Sequence, residues 1–307
     1  MAVTLNLQKY HHLVIITKDP WLAVQRWADI FKFEAPVVND VGPGSREFFD
    51  EYPSLFRGKP WHSDFKQSVF RQPSFFFEIN GIGDTADCFT EFEDTHGNGI
   101  CYFGFAAEEK RDSFISRVNY EYEVPTIVEQ YFPGGDWSVI GTEKLLGCNL
   151  CVKKEVSGSH SFDPMMPDFT EASILVPDLI NAVKYWEELF DVKDIALTDK
   201  YVEARFRDSA VKIRIKAAEL EGGPFPLHLI QSGLREEQGP FTEYYKRHGN
   251  GIWNISMPEP PEGIDTFSDR MRDDFGYSIY AEYPLFGKVY TVFDTVDELG
   301  TNITIAR

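Results

Sequence analysis

The cysteines are the first side chains whose spacing could carry chemistry. Cys148 and Cys151 form a Cys-x-x-Cys pair, and only Cys88 and Cys101 accompany them in the chain. A structural zinc site needs four ligands, and this pair lies in a strand-like run without a second pair. We therefore expect reduced thiols rather than a zinc centre.

Histidines are the second set of candidates. His228 lies between Leu227 and Leu229 in a strand-like run, where an imidazole can transfer protons or simply pack in the core. His96 and His248 each begin the sequence His-Gly-Asn-Gly-Ile. We interpret this sequence as turn-forming, because Asn and Gly readily adopt left-handed conformations.

The identical pentapeptide is one of three landmarks by which the chain repeats itself at about half its length. Residues 18–31 match 177–190, and residues 146–149 match 299–302. The three offsets are 152, 159 and 153 residues. Landmarks in the same order with similar offsets indicate a duplicated domain. We predict domains over residues 1–156 and 169–307, joined by a Ser-, Gly- and Pro-containing linker over 157–168.

Each half begins with a predicted strand and an amphipathic helix. Residues 13–16 and 173–176 are apolar runs, and each precedes an Asp at a helix N-cap position, Asp19 or Asp178. Further strands are predicted at 75–79, 100–105, 150–152, 211–215 and 227–230, with a helix over 110–118. This order predicts an α+β fold of four βαβββ modules that form two cupped mixed sheets. Residues 48–70, which include Trp61, are predicted to be an insertion that forms either a pocket lid or a packed loop.

The composition excludes several classes of partner. Lys and Arg total 30 and Asp and Glu total 49, so the net charge is −19 at pH 7. This charge disfavours binding to nucleic acids and to anionic membranes. No signal-peptide pattern is present, and no apolar run approaches the roughly 20 residues of a membrane helix, so we expect a cytoplasmic protein. Aromatic residues make up 15% of the chain, which is typical of a bulky core and also of a wide apolar cavity.

The chain resembles the vicinal oxygen chelate superfamily, which includes glyoxalases, bleomycin-resistance proteins and extradiol dioxygenases. The second half is most similar to the methylmalonyl-CoA-epimerase-like branch. The matching segments are residues 227–231, 239–241, 248–252 and 294–300. The resemblance covers essentially the whole chain and implies paired modules around four inward metal ligands. It is more specific for fold than for reaction, because this scaffold supports very different chemistries.

In that superfamily the metal ligands come from the first and fourth strands of each module. The resemblance places the four positions of the first domain at His12, Glu78, Tyr102 and Cys151. It places those of the second domain at Glu171, His228, Asn254 and Thr304. Family sites usually offer His, Gln or Glu, His and Glu, so each pocket here keeps only one His and one carboxylate. The resemblance thus implies a divalent metal (Fe, Mg, Mn, Zn or Co), whereas the degraded ligand set predicts weak binding at best.

Three functions remain open. The first is a metal-dependent isomerase, lyase or dioxygenase. The second is a metal-independent enzyme in which a buried His and a carboxylate, either His12 with Glu78 or His228 with Glu171, exchange protons. Tyr102 and Asn254 would then orient a substrate carbonyl. The third is a non-catalytic protein that sequesters an aromatic ligand. We predict an isomerase- or epimerase-like enzyme for a hydrophobic, aromatic or polycyclic oxygenated metabolite, and by resemblance a homodimer. The candidate catalytic residues are His12, Glu78, Tyr102, Glu171, His228 and Asn254.

Overall fold

The computed structural model describes residues 3–41, 54–62, 64–131, 135–154, 165–192, 195–233 and 239–307. Within these residues the fold is mixed α+β, as predicted, with eighteen strands and eight α-helices. The larger part of the linker predicted at 157–168, and residues 48–53 of the predicted insertion, lie outside the described residues. None of the described helices is both long enough and apolar enough to cross a membrane.

The N-terminal half contains ten strands, here called the N-terminal sheet. They are β1 (Tyr10–Thr17), β2 (Asn39–Val41), β3 (Ser54–Phe56), β4 (Lys59–Trp61), β5 (Phe65–Arg71), β6 (Phe76–Gly81), β7 (Gly99–Ala106), β8 (Thr126–Gln130), β9 (Trp137–Ile140) and β10 (Asn149–Lys153). Their paired order is β2-β5-β6-β1-β7-β10-β9-β8-β3-β4. β1 pairs parallel with β6 and antiparallel with β7, so it lies between these two strands.

The C-terminal half contains eight strands, here called the C-terminal barrel. They are β11 (Glu171–Val176), β12 (Ile195–Phe206), β13 (Ser209–Leu220), β14 (Leu227–Gln231), β15 (Gly251–Met257), β16 (Ile279–Leu285), β17 (Lys288–Phe293) and β18 (Asn302–Ala306). The paired order is β12-β13-β14-β11-β15-β18-β17-β16. β16 also pairs with the end of β12, which closes the barrel.

The helices lie outside these sheets. They are α1 (Pro20–Phe31), α2 (Cys88–His96), α3 (Arg111–Glu121), α4 (Glu143–Leu146), α5 (Leu179–Leu189), α6 (Pro240–His248), α7 (Ile264–Phe275) and α8 (Val296–Leu299). Both predicted N-caps are confirmed: Asp19 accepts a hydrogen bond from the Leu22 amide at 2.9 Å, and Asp178 accepts one from the Asn181 amide at 3.2 Å. Such caps satisfy amides that have no partner inside the helix.

The two halves share one hydrophobic core on the helix side of the sheets. Trp27 of α1 donates to the Leu299 carbonyl in the other half at 3.4 Å, and Trp186 of α5 donates to the Leu146 carbonyl at 3.2 Å. These tryptophans and carbonyls belong to two of the repeated landmarks. The repeat therefore marks the surfaces at which the halves contact each other.

The repeated His-Gly-Asn-Gly-Ile sequences also meet. His96 Nδ1 lies 2.6 Å from the His248 carbonyl, and His248 Nδ1 lies 2.7 Å from the His96 carbonyl. Each imidazole thus donates to the carbonyl of the last residue of the helix in the other half. The last carbonyls of a helix accept no hydrogen bond from within that helix, so this contact satisfies them. The sequence interpretation as a turn is incomplete, because these residues also form a reciprocal contact between the halves.

Candidate functional site

The N-terminal sheet encloses a cavity of about 180 Å³. Its aromatic wall residues are Trp61, Phe65, Phe89, Tyr102 and Trp137, and its polar residues are Gln67, Glu78, Asn80, Gln130 and Lys153. Trp61 comes from the predicted insertion. Trp61 is buried, as expected for a packed loop, and it also lines the cavity, as expected for a pocket lid. The structure thus agrees with part of each alternative.

Glu78 is the carboxylate that faces this cavity. It lies on β6, and Gln67 of the neighbouring strand β5 donates its side-chain amide to Glu78 Oε2 at 3.0 Å. Burial raises the pKa of Glu78, and the positive charge of Lys153 offsets only part of this rise. The carboxyl group therefore holds a proton at higher pH than an exposed glutamate does.

Tyr102 is the second predicted residue that the structure places in the cavity. Tyr102 of β7 and Glu78 of β6 both pair with Val14 of the intervening strand β1. The two side chains are thus separated by one strand at the same level of the sheet. Burial raises the pKa of the Tyr102 phenol, so it acts as a neutral hydrogen-bond donor.

His12 lies two residues away along β1, at the level of Phe76 and Gly104. Its ring stacks on Phe76 at 5.0 Å and meets the edge of Tyr102 at 5.9 Å. Burial, assisted by the charge of Lys153, lowers the pKa of His12, so the imidazole is neutral near pH 7. Among the described residues, His12 and Glu78 form no hydrogen bond with each other. His12 Nδ1 instead lies 2.9 Å from Nδ1 of His11.

Cys151 occupies the remaining predicted position of the first domain. It pairs with Gly104 and is fully buried, and burial raises the pKa of its thiol to about 12. A thiol with this pKa is protonated at neutral pH. All four cysteines are free and buried.

The C-terminal barrel holds the second set of predicted residues. Glu171 is fully buried, and Lys288 of β17 donates to its Oε1. His228 Nε2 lies 2.9 Å from Glu219 Oε2 of the neighbouring strand β13. The structure therefore gives each residue an ionisable partner that the sequence analysis missed, and it does not pair Glu171 with His228.

The register of the barrel strands places these residues at two levels. Ser256 of β15 pairs with Glu171 on one side and with Thr304 on the other. Asn254 pairs instead with Ser173, which also pairs with His228. Of the four positions proposed for the second domain, Glu171 and Thr304 thus share one level, and His228 and Asn254 share the next.

The interior of this barrel contains several buried polar atoms without a hydrogen-bond partner in the described structure. They are Ser173 Oγ, His228 Nδ1, Ser256 Oγ and Thr304 Oγ1, whereas the Tyr290 phenol interacts with Glu171 and the Tyr283 phenol with Asn254. Buried polar groups almost always bond to protein, water or ligand. The barrel interior therefore differs from an ordinary apolar core.

Neither set of residues fits a transition-metal ion. Glu171 already binds an ammonium group, and its neighbours at the same level are the hydroxyls of Ser256 and Thr304, which are weaker ligands than imidazole or carboxylate. Glu78 lies beside an amide and an ammonium group, and His12 is stacked between aromatic rings. Across the described ranges, no cluster of three or more His, Cys, Asp or Glu side chains could hold a metal.

Lys153 and Lys288 lie beside predicted site residues, and the sequence analysis did not single them out. Lys153 follows Cys151 by two residues on the same strand, and the two-residue period of a strand would have placed it on the same face. Lys288 has no such signal. Its approach to Glu171 depends on pairing between β17, β18, β15 and β11, which are far apart in sequence.

This mixed fold is also found in solved structures of enzymes from the vicinal oxygen chelate superfamily. The chain is similar in structure to a mutant of 4-hydroxymandelate synthase from Streptomyces coelicolor, with a TM-score of 0.61 and 11% identity over 98% of this chain and 93% of that chain. It is also similar to a variant of homoprotocatechuate 2,3-dioxygenase from B. fuscum, with a TM-score of 0.51 and 11% identity over 100% of this chain and 73% of that chain. Both enzymes belong to this superfamily. At such identities the likeness shows the fold alone.

The sequence comparisons add no further relative. No protein-family model matches the chain, and no curated protein matches it in sequence.

Proposed function

We propose that the protein is an enzyme of the vicinal oxygen chelate fold that transfers protons in a small oxygenated aromatic molecule, as an isomerase or epimerase does. The observation that carries this proposal is Glu78, a carboxyl group with a raised pKa inside an aromatic-walled cavity. A general base or acid works best when its pKa lies near the working pH, and burial moves a carboxyl group toward that range.

The size of the cavity favours a ligand with one ring. A cavity of about 150 Å³ is known to hold a benzene molecule, and the cavity here measures about 180 Å³. Of the two ligand classes expected from the sequence, a single-ring aromatic compound therefore fits the described cavity better than a polycyclic one.

The residues around Glu78 have complementary roles in this proposal. Glu78 as carboxylate removes a proton from the carbon next to a substrate carbonyl, and as carboxylic acid returns it to another carbon or to the opposite face. Lys153 supplies positive charge for the enolate oxygen, and the neutral Tyr102 phenol donates a hydrogen bond to it. Gln67 holds the Glu78 carboxyl group through its side-chain amide.

The proposal includes the domain organisation expected from the repeat. Residues 1–156 and 169–307 are two tandem domains of two βαβββ modules each, joined at 157–168. The recurrence of a strand, a helix and further strands in each half supports this division, as do the contacts between repeated landmarks.

A second candidate is metal-dependent lyase or dioxygenase chemistry. It is favoured by the likeness of the fold to 4-hydroxymandelate synthase and to homoprotocatechuate 2,3-dioxygenase. The donor sets of both pockets argue against it. A third candidate, sequestration of an aromatic ligand without turnover, uses the same cavity.

One experiment separates these candidates. Single-ring aromatic ketones and hydroxy ketones are incubated with the protein in D₂O, and ligand binding is followed by the fluorescence of Trp61 and Trp137. Deuterium uptake by the ligand is followed by NMR. We expect catalysed exchange by the wild-type protein and a loss of at least about 100-fold in Glu78→Gln, in line with the usual contribution of a general base.

The matched control is Glu203→Gln, which changes an exposed glutamate on β12 in the other half and should leave exchange unchanged. Equal exchange by Glu78→Gln and the wild-type protein contradicts the proposal. Binding without exchange supports sequestration, and turnover that requires added Fe²⁺ and O₂ supports the dioxygenase alternative.

A further inference from the structure

The C-terminal barrel contains a fully buried carboxylate whose charge must be compensated. Glu171 begins β11, its side chain has no exposed surface, and one of its oxygens accepts a hydrogen bond from the Lys288 ammonium. An unpaired carboxylate in such surroundings is very costly. In the vicinal oxygen chelate superfamily, which the sequence resembles, a residue on the first strand of a module is a metal ligand. There the metal cation compensates the charge of the carboxylate.

The other residues at this level are not metal ligands of the usual kind. Ser256 pairs with Glu171, and Thr304 pairs with Ser256 on the next strand. Both residues have buried hydroxyl groups without partners in the described structure. Neutral hydroxyls bind divalent transition metals poorly, but they donate hydrogen bonds readily to carbonyl or hydroxyl oxygens.

The backbone of a tight turn places the lysine. Phe286 and Gly287 connect β16 to β17 with positive φ angles of 45° and 81°, the conformation of a two-residue hairpin turn. The ring of Phe286 lies 5.1 Å from that of His228, and the next residue but one is Lys288. The turn therefore covers the end of the barrel and directs the ammonium group to Glu171.

We infer that the Lys288 ammonium takes the place of a divalent cation in the C-terminal barrel, so that the residues around Glu171 do not hold a metal ion. The two buried ionisable residues Glu171 and His228 each have a partner within the protein, Lys288 and Glu219 respectively. The groups at the level of Glu171 that lack partners, Ser256 and Thr304, are neutral hydroxyls. This inference concerns the other half of the molecule and does not depend on the function proposed for the N-terminal cavity.

Metal titration is the first part of the test. Protein without a polyhistidine tag, and its Glu171→Gln variant, are titrated with Fe²⁺, Mn²⁺ and Zn²⁺ by calorimetry, and their Tm values are measured with and without each ion. We expect the two proteins to behave alike with every ion. One equivalent of metal bound by the wild-type protein and lost in Glu171→Gln overturns the inference.

Removal of the lysine is the second part. Lys288→Met leaves the buried carboxylate unpaired, so we expect its Tm to fall by about 5 °C or more, with partial recovery in millimolar Mn²⁺. The matched control is Lys216→Met, which removes the lysine of an exposed ion pair with Asp199 and should shift the Tm by no more than about 2 °C. Equal Tm values for the two variants overturn the inference.

The double variant Glu171→Gln/Lys288→Met covers the case in which Lys288→Met does not fold. It removes both charges and retains the side-chain volumes, so we expect it to fold and to be more stable than Lys288→Met alone. A double variant that is no more stable than the single one also overturns the inference.

Discussion

Glu78 gives the protein a pH dependence of stability that can be isolated by a single substitution. Because burial raises its pKa in the folded state, the folded protein keeps a proton that the unfolded chain loses as the pH rises above the ordinary carboxyl range. The stabilising contribution is therefore complete at low pH and is lost as the pH rises through the folded-state pKa.

The variant Glu78→Gln cannot lose this proton. We expect its free energy of unfolding, measured by urea denaturation between pH 4 and pH 8, to increase relative to that of the wild-type protein as the pH rises. A difference between the two proteins that is constant with pH, or that has the opposite slope, contradicts the prediction.

Gly104 determines whether His12 can occupy its position. A Cβ atom on Gly104 would lie 1.6 Å from Cε1 of His12, so Gly104→Ala must displace the ring. We expect a loss of about 1–3 kcal/mol in the free energy of unfolding, the usual cost of overpacking a core. The double variant His12→Ala/Gly104→Ala should lose less than the sum of the single variants, because the clash is removed.

Gly141→Ala is the control for this substitution. There the nearest atom would be the flexible end of Ile127, at 3.3 Å, so the cost should be well under 1 kcal/mol. Additive effects in the double variant would show that the clash does not dominate the cost of Gly104→Ala.

The candidate site could be predicted from the sequence only in part. The resemblance to the vicinal oxygen chelate superfamily was enough to propose Glu78 and Tyr102, which the structure places in one cavity. The level of each residue within the sheet could not be predicted, because β1 and β7 have a register irregularity after Val14 and β11 and β15 have one after Ser173. Such irregularities depend on pairing between distant segments, so the alignment of Glu171 with Ser256 became visible only in the structure.

At the scale of elements, the short helices α4 and α8 connect the halves. Each ends at a glycine with a positive φ, 81° for Gly147 and 71° for Gly300. A Cβ atom would lie 2.6 Å from Ile174 Cγ2 at the first site and 2.2 Å from Ile15 Cγ2 at the second. These glycines therefore have two roles. Each adopts the left-handed conformation that ends the helix, and each lacks the Cβ atom that would clash with a strand of the other half.

Alanine substitution can separate these two roles. Gly276 ends α7 with a φ of 77° and has no atom within 4 Å of a Cβ position, so Gly276→Ala measures the backbone cost alone, about 1 kcal/mol. We expect Gly147→Ala and Gly300→Ala each to lower the free energy of unfolding by at least about 1 kcal/mol more than that, because they add a clash. Equal costs at the three sites, measured by urea denaturation, would show that the contact between the halves tolerates a methyl group.

The helices α1 and α5 were predictable, because their determinants are local. The N-caps Asp19 and Asp178 and the apolar faces around Trp27 and Trp186 all lie within one or two turns of chain. The sequence did not predict that these apolar faces pack against the opposite half of the chain. The hydrogen bonds of the two tryptophans to the opposite half join residues separated by much of the chain.

At the scale of the whole molecule, the shared core predicts that the halves fold together. Its buried residues come from both halves, from Leu5 to Ile305, and separation would expose them to water. We expect residues 1–156 and residues 169–307, produced separately, to show no cooperative thermal transition by near-UV circular dichroism. Mixing them should restore one, and the full chain is the reference.

The opposite outcome is equally clear. A half that alone unfolds cooperatively, near the Tm of the full chain, would show that the shared core is dispensable for it.

The contact between His96 and His248 has a further consequence, because its surroundings are not symmetric. Burial acts to lower the pKa of both imidazoles. At His96 this effect is outweighed by Glu143, which lies 3.2 Å from Nε2, so the pKa of His96 is raised above its ordinary value. At His248 burial prevails, and the pKa is lowered. Between these two pKa values the interface holds one imidazolium and one neutral imidazole, although both rings come from the same five-residue sequence. Duplication within one chain thus allows an electrical polarity across the junction that two identical subunits related by a twofold axis could not have.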